Sequence, residues 1–195
     1  RHKIDDEIYF RNLKDNNIYL YKLDFIEKKK ALFNLISKEE KIVENKNKLH
    51  IGWCVIDPKT VEKYIASLNE MGVDKITFIY ADYSQKNFKI NIEKLEKILI
   101  NSSTQCGRSN IIKLEVCKSL EQFIKENDDA YFLDFSTVCI DEKKDEIKTL
   151  VIGCEGGFSK REKENFDDNF TVGFKVDLIL RSETATLSAS SKILL

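Results

Sequence analysis

The chain has 195 residues, 42% hydrophobic and 33% charged, enough for one good-sized domain, or for one domain with a small appendage, and far from disordered composition. Its 32 basic and 33 acidic residues leave a net charge of −1, which argues against an avid nonspecific nucleic-acid binder. Strand-sized apolar runs exclude a membrane span, and five scattered cysteines with no CxxC pair favour reduced thiols in the cytoplasm over a disulfide framework or a metal site.

The first forty residues alternate as strands do. "DEIYF" (6–10), "NIYLYKLDFIE" (17–27) and "KALFNLIS" (30–37) are rich in Ile, Tyr, Phe and Leu, with turn-like "LKDNN" and "KKK" between them. They predict a small antiparallel sheet or barrel. "KEEKIVENKNK" (38–48) is charged and poor in apolar residues, the best candidate for a linker.

From His50 the rhythm changes. "IGWCVI" (51–56) is a buried-strand run; Asp57 then offers an N-cap, Pro58 sits at the first helical position and Gly72 ends the helix. Strands are expected at 75–80, 111–116, 130–135 and 147–153, with helices at 91–103, at 119–127 and from Ser159. This alternation predicts an α/β fold with a mostly parallel sheet and helices on both faces.

The stretch that reads as a site is "LVIGCEGGFSKRE" (150–162), which holds Gly153, Gly156 and Gly157 with Glu155 among them. Ligands in such sheets bind at the carboxyl ends of strands, where this loop falls. Ser159 and Glu162 can form a capping box for the helix that follows. Neither GxxxxGK[ST] nor GxGxxG occurs, and Glu155 would repel a phosphate, so the loop suits a cationic or neutral planar ligand. A plain strand-to-helix turn is the competing reading. A second stretch, "VDLILRSETATLSASSKILL" (176–195), places Arg181 before Ser182, which can N-cap a helix from Glu183. Its small residues Ala185, Ser188, Ala189, Ser190 and Ser191 allow a close helix contact, within the fold or across a dimer.

At these two stretches the sequence resembles the RsmE family of 16S rRNA uridine-N3 methyltransferases, of the SPOUT class. "IGCEGGFSKRE" is similar to the family's I-G-P-E-G-G-F-S-x-x-E, and "LILRSETA" to its R-I-L-R-T-E-T-A. "MGVDKI" resembles the family's E-L-G-V segment, and "SSTQCGR" (102–108) its A-x-E-Q-x-x-R. Cys154 stands where the family has proline. The family's Leu-Gly before I-L-R falls on Lys175 and Val176 without a gap, or on Val172 and Gly173 with one.

The resemblance implies a PUA-like β domain over 1–45, RNA-binding and incomplete at its start, followed by a SPOUT methyltransferase domain over 48–195 with a C-terminal trefoil knot. It implies S-adenosylmethionine as cofactor, enclosed by the 153–157 and 175–184 loops through Gly153, Glu155, Gly156 and Gly157, and through Leu178, Leu180, Ser182 and Thr184. Phe135 and Ser136 would stand on a third wall. It also implies a homodimer acting on 16S rRNA or the small ribosomal subunit, with no metal and no membrane. With both histidines in the first fifty residues, an imidazole base in the knot is not expected. Arg181 is the candidate for stabilising negative charge on the uracil carbonyl oxygens, and Glu183 for orienting Arg181 or taking the N3 proton. Lys28 to Lys30, Arg108, Lys160 and Arg161 are the RNA-contact candidates. A noncatalytic RNA-binding or assembly module on the same fold is the alternative, and a doubly wound hydrolase or transferase lacks a phosphate loop or nucleophile–base set here.

Overall fold

The computed structural model describes residues 2–195. The aromatic, β-branched opening folds as an antiparallel meander of β1 (Glu7–Phe10), β2 (Asn17–Ile26) and β3 (Ala31–Glu40), in the order β1-β2-β3. Phe10 stands edge-on to Tyr21 and Phe33, at centroid separations of 5.6 and 5.2 Å, so cross-strand ring contacts hold the three strands in register. Among the described residues the meander is a three-stranded sheet and does not close into a barrel.

The charged segment read as a linker begins later than expected, because β3 continues to Glu40. The rest is laced to the second unit. The Val43 N–H donates to Ser109 Oγ at 2.7 Å, and the Ser109 N–H returns to the Val43 carbonyl at 2.9 Å. Asn45 donates to the carbonyls of Met71 and Leu194, and its side chain fills the space that a Cβ on Gly72 would need. A polar sequence does not make a free tether when its side chains satisfy helix-end carbonyls.

The second unit is a six-stranded sheet of order β6-β5-β4-β8-β7-β9, every neighbouring pair parallel. Its strands are β4 (His50–Cys54), β5 (Lys75–Ile79), β6 (Lys113–Cys117), β7 (Tyr131–Leu133), β8 (Thr149–Ile152) and β9 (Thr171–Val172). The helices are α1 (Pro58–Met71), α2 (Ile92–Cys106), α3 (Leu120–Glu126), α4 (Ile140–Lys143), α5 (Lys160–Lys163) and α6 (Ser182–Leu194). Local signals place α1 as expected: Asp57 caps it, Pro58 opens it, and Gly72 closes it at φ 95°. Two short elements, α4 and β9, were not expected from the sequence.

Successive residues of a strand point to opposite faces. In β4, a Cβ on Gly52 would meet the Phe123 ring of α3 at 2.9 Å, whereas Trp53 on the other face bonds Ser182 of α6. Helices therefore cover both faces. The small residues of α6 are used inside the chain: Thr186, Ala189 and Ser190 are fully buried, and α6 packs against α1. Close contact within the fold accounts for Ala189 and Ser190, whereas Ala185, Ser188 and Ser191 are only partly buried.

Arg108, expected at RNA, is 4% exposed. Its guanidinium donates to the Asn69 carbonyl at 3.0 Å and to Asn110 Oδ1 at 2.6 Å, stitching the end of α1 to the turn after α2, and burial lowers its pKa. A buried guanidinium occupied in this way is structural. Arg108→Ala leaves buried acceptors unpaired and is expected to lower unfolding free energy by about 2–3 kcal/mol in urea titration; unchanged stability would refute the structural assignment.

Candidate functional site

The carboxyl ends of β7 and β8 open into a cleft of about 430 Å³. A cavity of this size lies in the range of small-molecule sites. Its floor is the β8 exit, Ile152 and Gly153, followed by the turn Cys154–Gly157. One wall is Asp134, Phe135 and Ser136, after β7; the other is the run from Phe174 to Leu180 leading into α6.

The glycine turn has internal reasons for its residues. The Gly157 N–H donates to the Cys154 carbonyl at 2.9 Å, and Gly157 holds φ +68°, a conformation that favours glycine. A Cβ on Gly153 would stand 3.1 Å from the Gly157 Cα, so the turn folds back on its own start. Gly156 is bare because the Tyr83 ring lies against it: a Cβ there would be 3.2 Å from Tyr83 Cδ2. Cys154, where a proline was expected, is buried, and that burial pushes its thiol pKa up, so it is no reactive thiolate.

Two polar networks fix the walls. The Trp53 indole N–H donates to Ser182 Oγ at 3.0 Å, and the Ser182 hydroxyl donates to the Gly153 carbonyl at 2.5 Å, pinning the head of α6 to the β8 exit. Ser182 was expected as an N-cap; the helix begins at Ser182 itself and Arg181 holds the cap position, which releases the hydroxyl for this bridge. In the second network the predicted capping box forms, and buried Glu162 extends it by accepting from the Asp82 N–H at 2.9 Å. Arg161 makes a two-pronged pair with Asp82, and Ser159 donates to the same carboxylate at 2.6 Å. These partners, Arg161 foremost, hold the Asp82 pKa below its ordinary value.

The third wall is tied from behind. A Cβ on Gly173 would meet Asp134 O, Ser136 N and Ser136 O, each at 3.0 Å. The Gly173 N–H donates to the Val138 carbonyl, and the Gly173 carbonyl accepts from the Ile140 N–H, both at 2.9 Å. The chain passes so close to the 134–140 loop that only glycine fits, which favours Val172–Gly173 over Lys175–Val176 as the counterpart of the expected Leu-Gly. Lys163 forms an ion pair with Asp134, whose side chain is only 14% exposed, joining α5 to that wall.

Among the residues expected at the cofactor, Phe135, Ser136, Gly153, Glu155, Gly156, Gly157, Leu178, Leu180 and Ser182 all line this one cleft. Thr184 does not. At 100° per residue it lies on the far side of the helix from Ser182 and is exposed, whereas Ala185 turns inward to the lining. Arg181 is exposed at the helix head and, among the described residues, forms no ion pair with Asp177 or Glu183; Glu183 is 8% exposed. Lys160 and Arg161 are exposed on α5, with Arg161 held by Asp82. Tyr83, Lys163 and Phe174 escaped sequence reading because none sits in a motif. Only their spatial partners mark them.

A family profile described as an RNA methyltransferase domain matches residues 43–194. Over 194 residues the chain is 39% identical to the ribosomal RNA small subunit methyltransferase E of Helicobacter pylori, covering 98% of this chain and 86% of that protein. The chain belongs to the ribosomal RNA small subunit methyltransferase E family. Among solved structures, a methyltransferase from Legionella pneumophila, determined with S-adenosylmethionine bound, superposes with TM-score 0.82 at 26% identity, over 98% of this chain and 84% of that one. The Neisseria gonorrhoeae methyltransferase E, 16% identical with TM-score 0.80 over 97% of this chain and 82% of that one, shares the fold. Within this family setting the Ser182 bridge becomes the test of the cleft. Ser182→Ala strands the Trp53 N–H and the Gly153 carbonyl and is expected to cost about 1–3 kcal/mol of stability. Thermal melts that leave Ser182→Ala level with the parent would show that the bridge does not hold the cleft.

Proposed function

We propose that the protein is an S-adenosylmethionine-dependent methyltransferase that modifies N3 of a uridine in 16S rRNA of the small ribosomal subunit. One observation carries the reading: the glycine turn and the segment before α6 form the floor and a wall of one cleft and are bonded through Ser182 and Gly153, 29 residues apart in sequence. The residues suit such a cofactor. Leu133, Ile152, Phe174 and Leu180 offer apolar surface to a planar base, and nothing stands within 4 Å of where a Gly157 side chain would project, leaving backbone open to a bent ligand. Asp134, Glu155 and Lys163 supply charges of both signs for a ligand carrying an ammonium, a sulfonium and a carboxylate. Bound there, S-adenosylmethionine supplies a methyl group activated by its sulfonium.

The chain's own part is positioning and electrostatics. Arg181, exposed and free of an ion pair with its neighbours, is available to a second molecule, and its guanidinium can donate to a uracil carbonyl oxygen beside N3 without covering N3 itself. Positive charge there favours the ionised base. Glu183, the acidic residue of the first turn of α6, is the group assigned to accept the N3 proton. With no Arg181–Glu183 ion pair, the arginine-orienting role is the less supported of the two readings of Glu183.

The remainder of the assignment follows the same family logic. Residues 1–45 serve as the RNA-binding β domain and residues 48–195 as the methyltransferase domain, its chain threaded as a trefoil knot where the segment between β9 and α6 returns from the sheet edge. A homodimer is proposed, its second subunit covering exposed Leu178 and Ile179, which are 75% and 83% accessible at the cleft rim. Dispersed cysteines agree with work in the cytoplasm.

Tritium transfer from labelled S-adenosylmethionine to small subunits or rRNA lacking the modification, followed by nucleoside mapping, is expected to yield 3-methyluridine. Label in any other nucleoside would overturn the assignment. In the same assay Arg181→Lys is expected to lower turnover about 100-fold while melting at the parent temperature, as a point charge does not replace the fork. Near-normal methylation would remove Arg181 from the chemistry.

A further inference from the structure

Tyr83 lies outside every motif in the chain, yet the structure gives it an unusual place. It follows Asp82 in the loop after β5, and its ring rests on Gly156 of the cleft turn. Tyr83 is 54% exposed, and its ring pairs with no other ring and donates no hydrogen bond among the described residues. An aromatic surface left open beside a binding cleft is a costly arrangement in water unless something covers it.

The loop that carries the ring is rigidly held. Asp82 is fixed by Arg161, by Ser159 and, through its backbone N–H, by Glu162. Ser84, on the other side, is buried, and its N–H donates to the Ala81 carbonyl at 3.1 Å. Tyr83 therefore stands at the tip of a turn whose backbone is already ordered, so contact with its ring costs little further entropy. Lys86, three residues beyond the ring, is exposed and its charge helps hold the Asp82 pKa down. The Arg161 fork neutralises Asp82, the acid nearest the ring in sequence.

A flat exposed ring on a rigid tip is a surface on which proteins hold unpaired nucleotides, the ring stacking on a base. N3 of uracil lies on its pairing edge, so the target must be out of a helix when methylated, leaving a base face without its stack. We propose that Tyr83 is the stacking platform for an unpaired base of the substrate RNA beside the methyl-donor cleft. The proposal rests on the rRNA methyltransferase reading above and names a contact that reading lacks.

Packing on Gly156 is the other role the ring could have, so two full-chain variants separate them. Tyr83→Phe keeps the ring; Tyr83→Leu keeps apolar cover on Gly156 but not the flat face. Affinity for an unmodified 16S rRNA transcript is measured with S-adenosylhomocysteine present, and S-adenosylmethionine affinity is measured separately. Tyr83→Phe is expected within twofold of the parent, and Tyr83→Leu to bind the transcript about tenfold more weakly with cofactor affinity unchanged. Parental RNA affinity in Tyr83→Leu overturns the proposal, and so does an equal loss of cofactor affinity, which would make the ring only a prop for the turn. A parent protein that binds the transcript yet transfers no methyl group to rRNA or subunits would sink the enzymatic reading, while the Tyr83 result would still be decided by the binding constants.

Discussion

One hydroxyl group ties the site together. Ser182 accepts from the buried Trp53 indole and donates to the Gly153 carbonyl, so three segments distant in sequence meet at a single oxygen. A buried indole N–H and a buried strand-end carbonyl each need a partner, and Ser182 satisfies both. The consequence reaches beyond stability. With the head of α6 anchored at the end of β8, the apolar segment from Phe174 to Leu180 is confined to one side of the cleft, and Arg181 is left at its mouth.

The second constraint is close backbone approach. Gly153 and Gly157 meet within the turn, Gly156 meets a tyrosine ring, and Gly173 slips behind the 134–140 loop. These three contacts, involving four glycines, explain why glycines gather in this part of a chain that has only seven. Open backbone towards a ligand comes as a by-product, since a turn stripped of side chains for packing reasons also exposes its amides. Glu162 is the polar counterpart. Buried and shared between the Ser159 and Asp82 N–H groups, it couples the β5 loop to the helix after the glycine turn. Structure and binding surface are thus made by the same few residues.

Much of the outline was legible residue by residue. Asp57, Pro58 and Gly72 bound their helix as written, and the Ser159–Glu162 capping box forms, because such signals act within four residues and need nothing distant. The two motifs carried the candidate site, and seven of their expected residues reach one cleft, joined there by Phe135 and Ser136. The misreadings share a cause. Arg108 looked like a surface cation and is buried, and Thr184 looked like a cofactor contact and turns outward. Each depended on a partner many positions away.

Sequence settled what is local: the alternation of strand and helix, the caps, the parallel sheet and the two loops that line the cleft. Hydrophobic period and turn chemistry operate over a few residues and can be read directly. Tertiary packing alone settled which side chains those loops would meet. That Ser182 would bridge rather than cap, that Gly156 would lie under Tyr83, and that Arg108 would be enclosed follow from contacts between segments far apart in the chain, for which no local pattern exists.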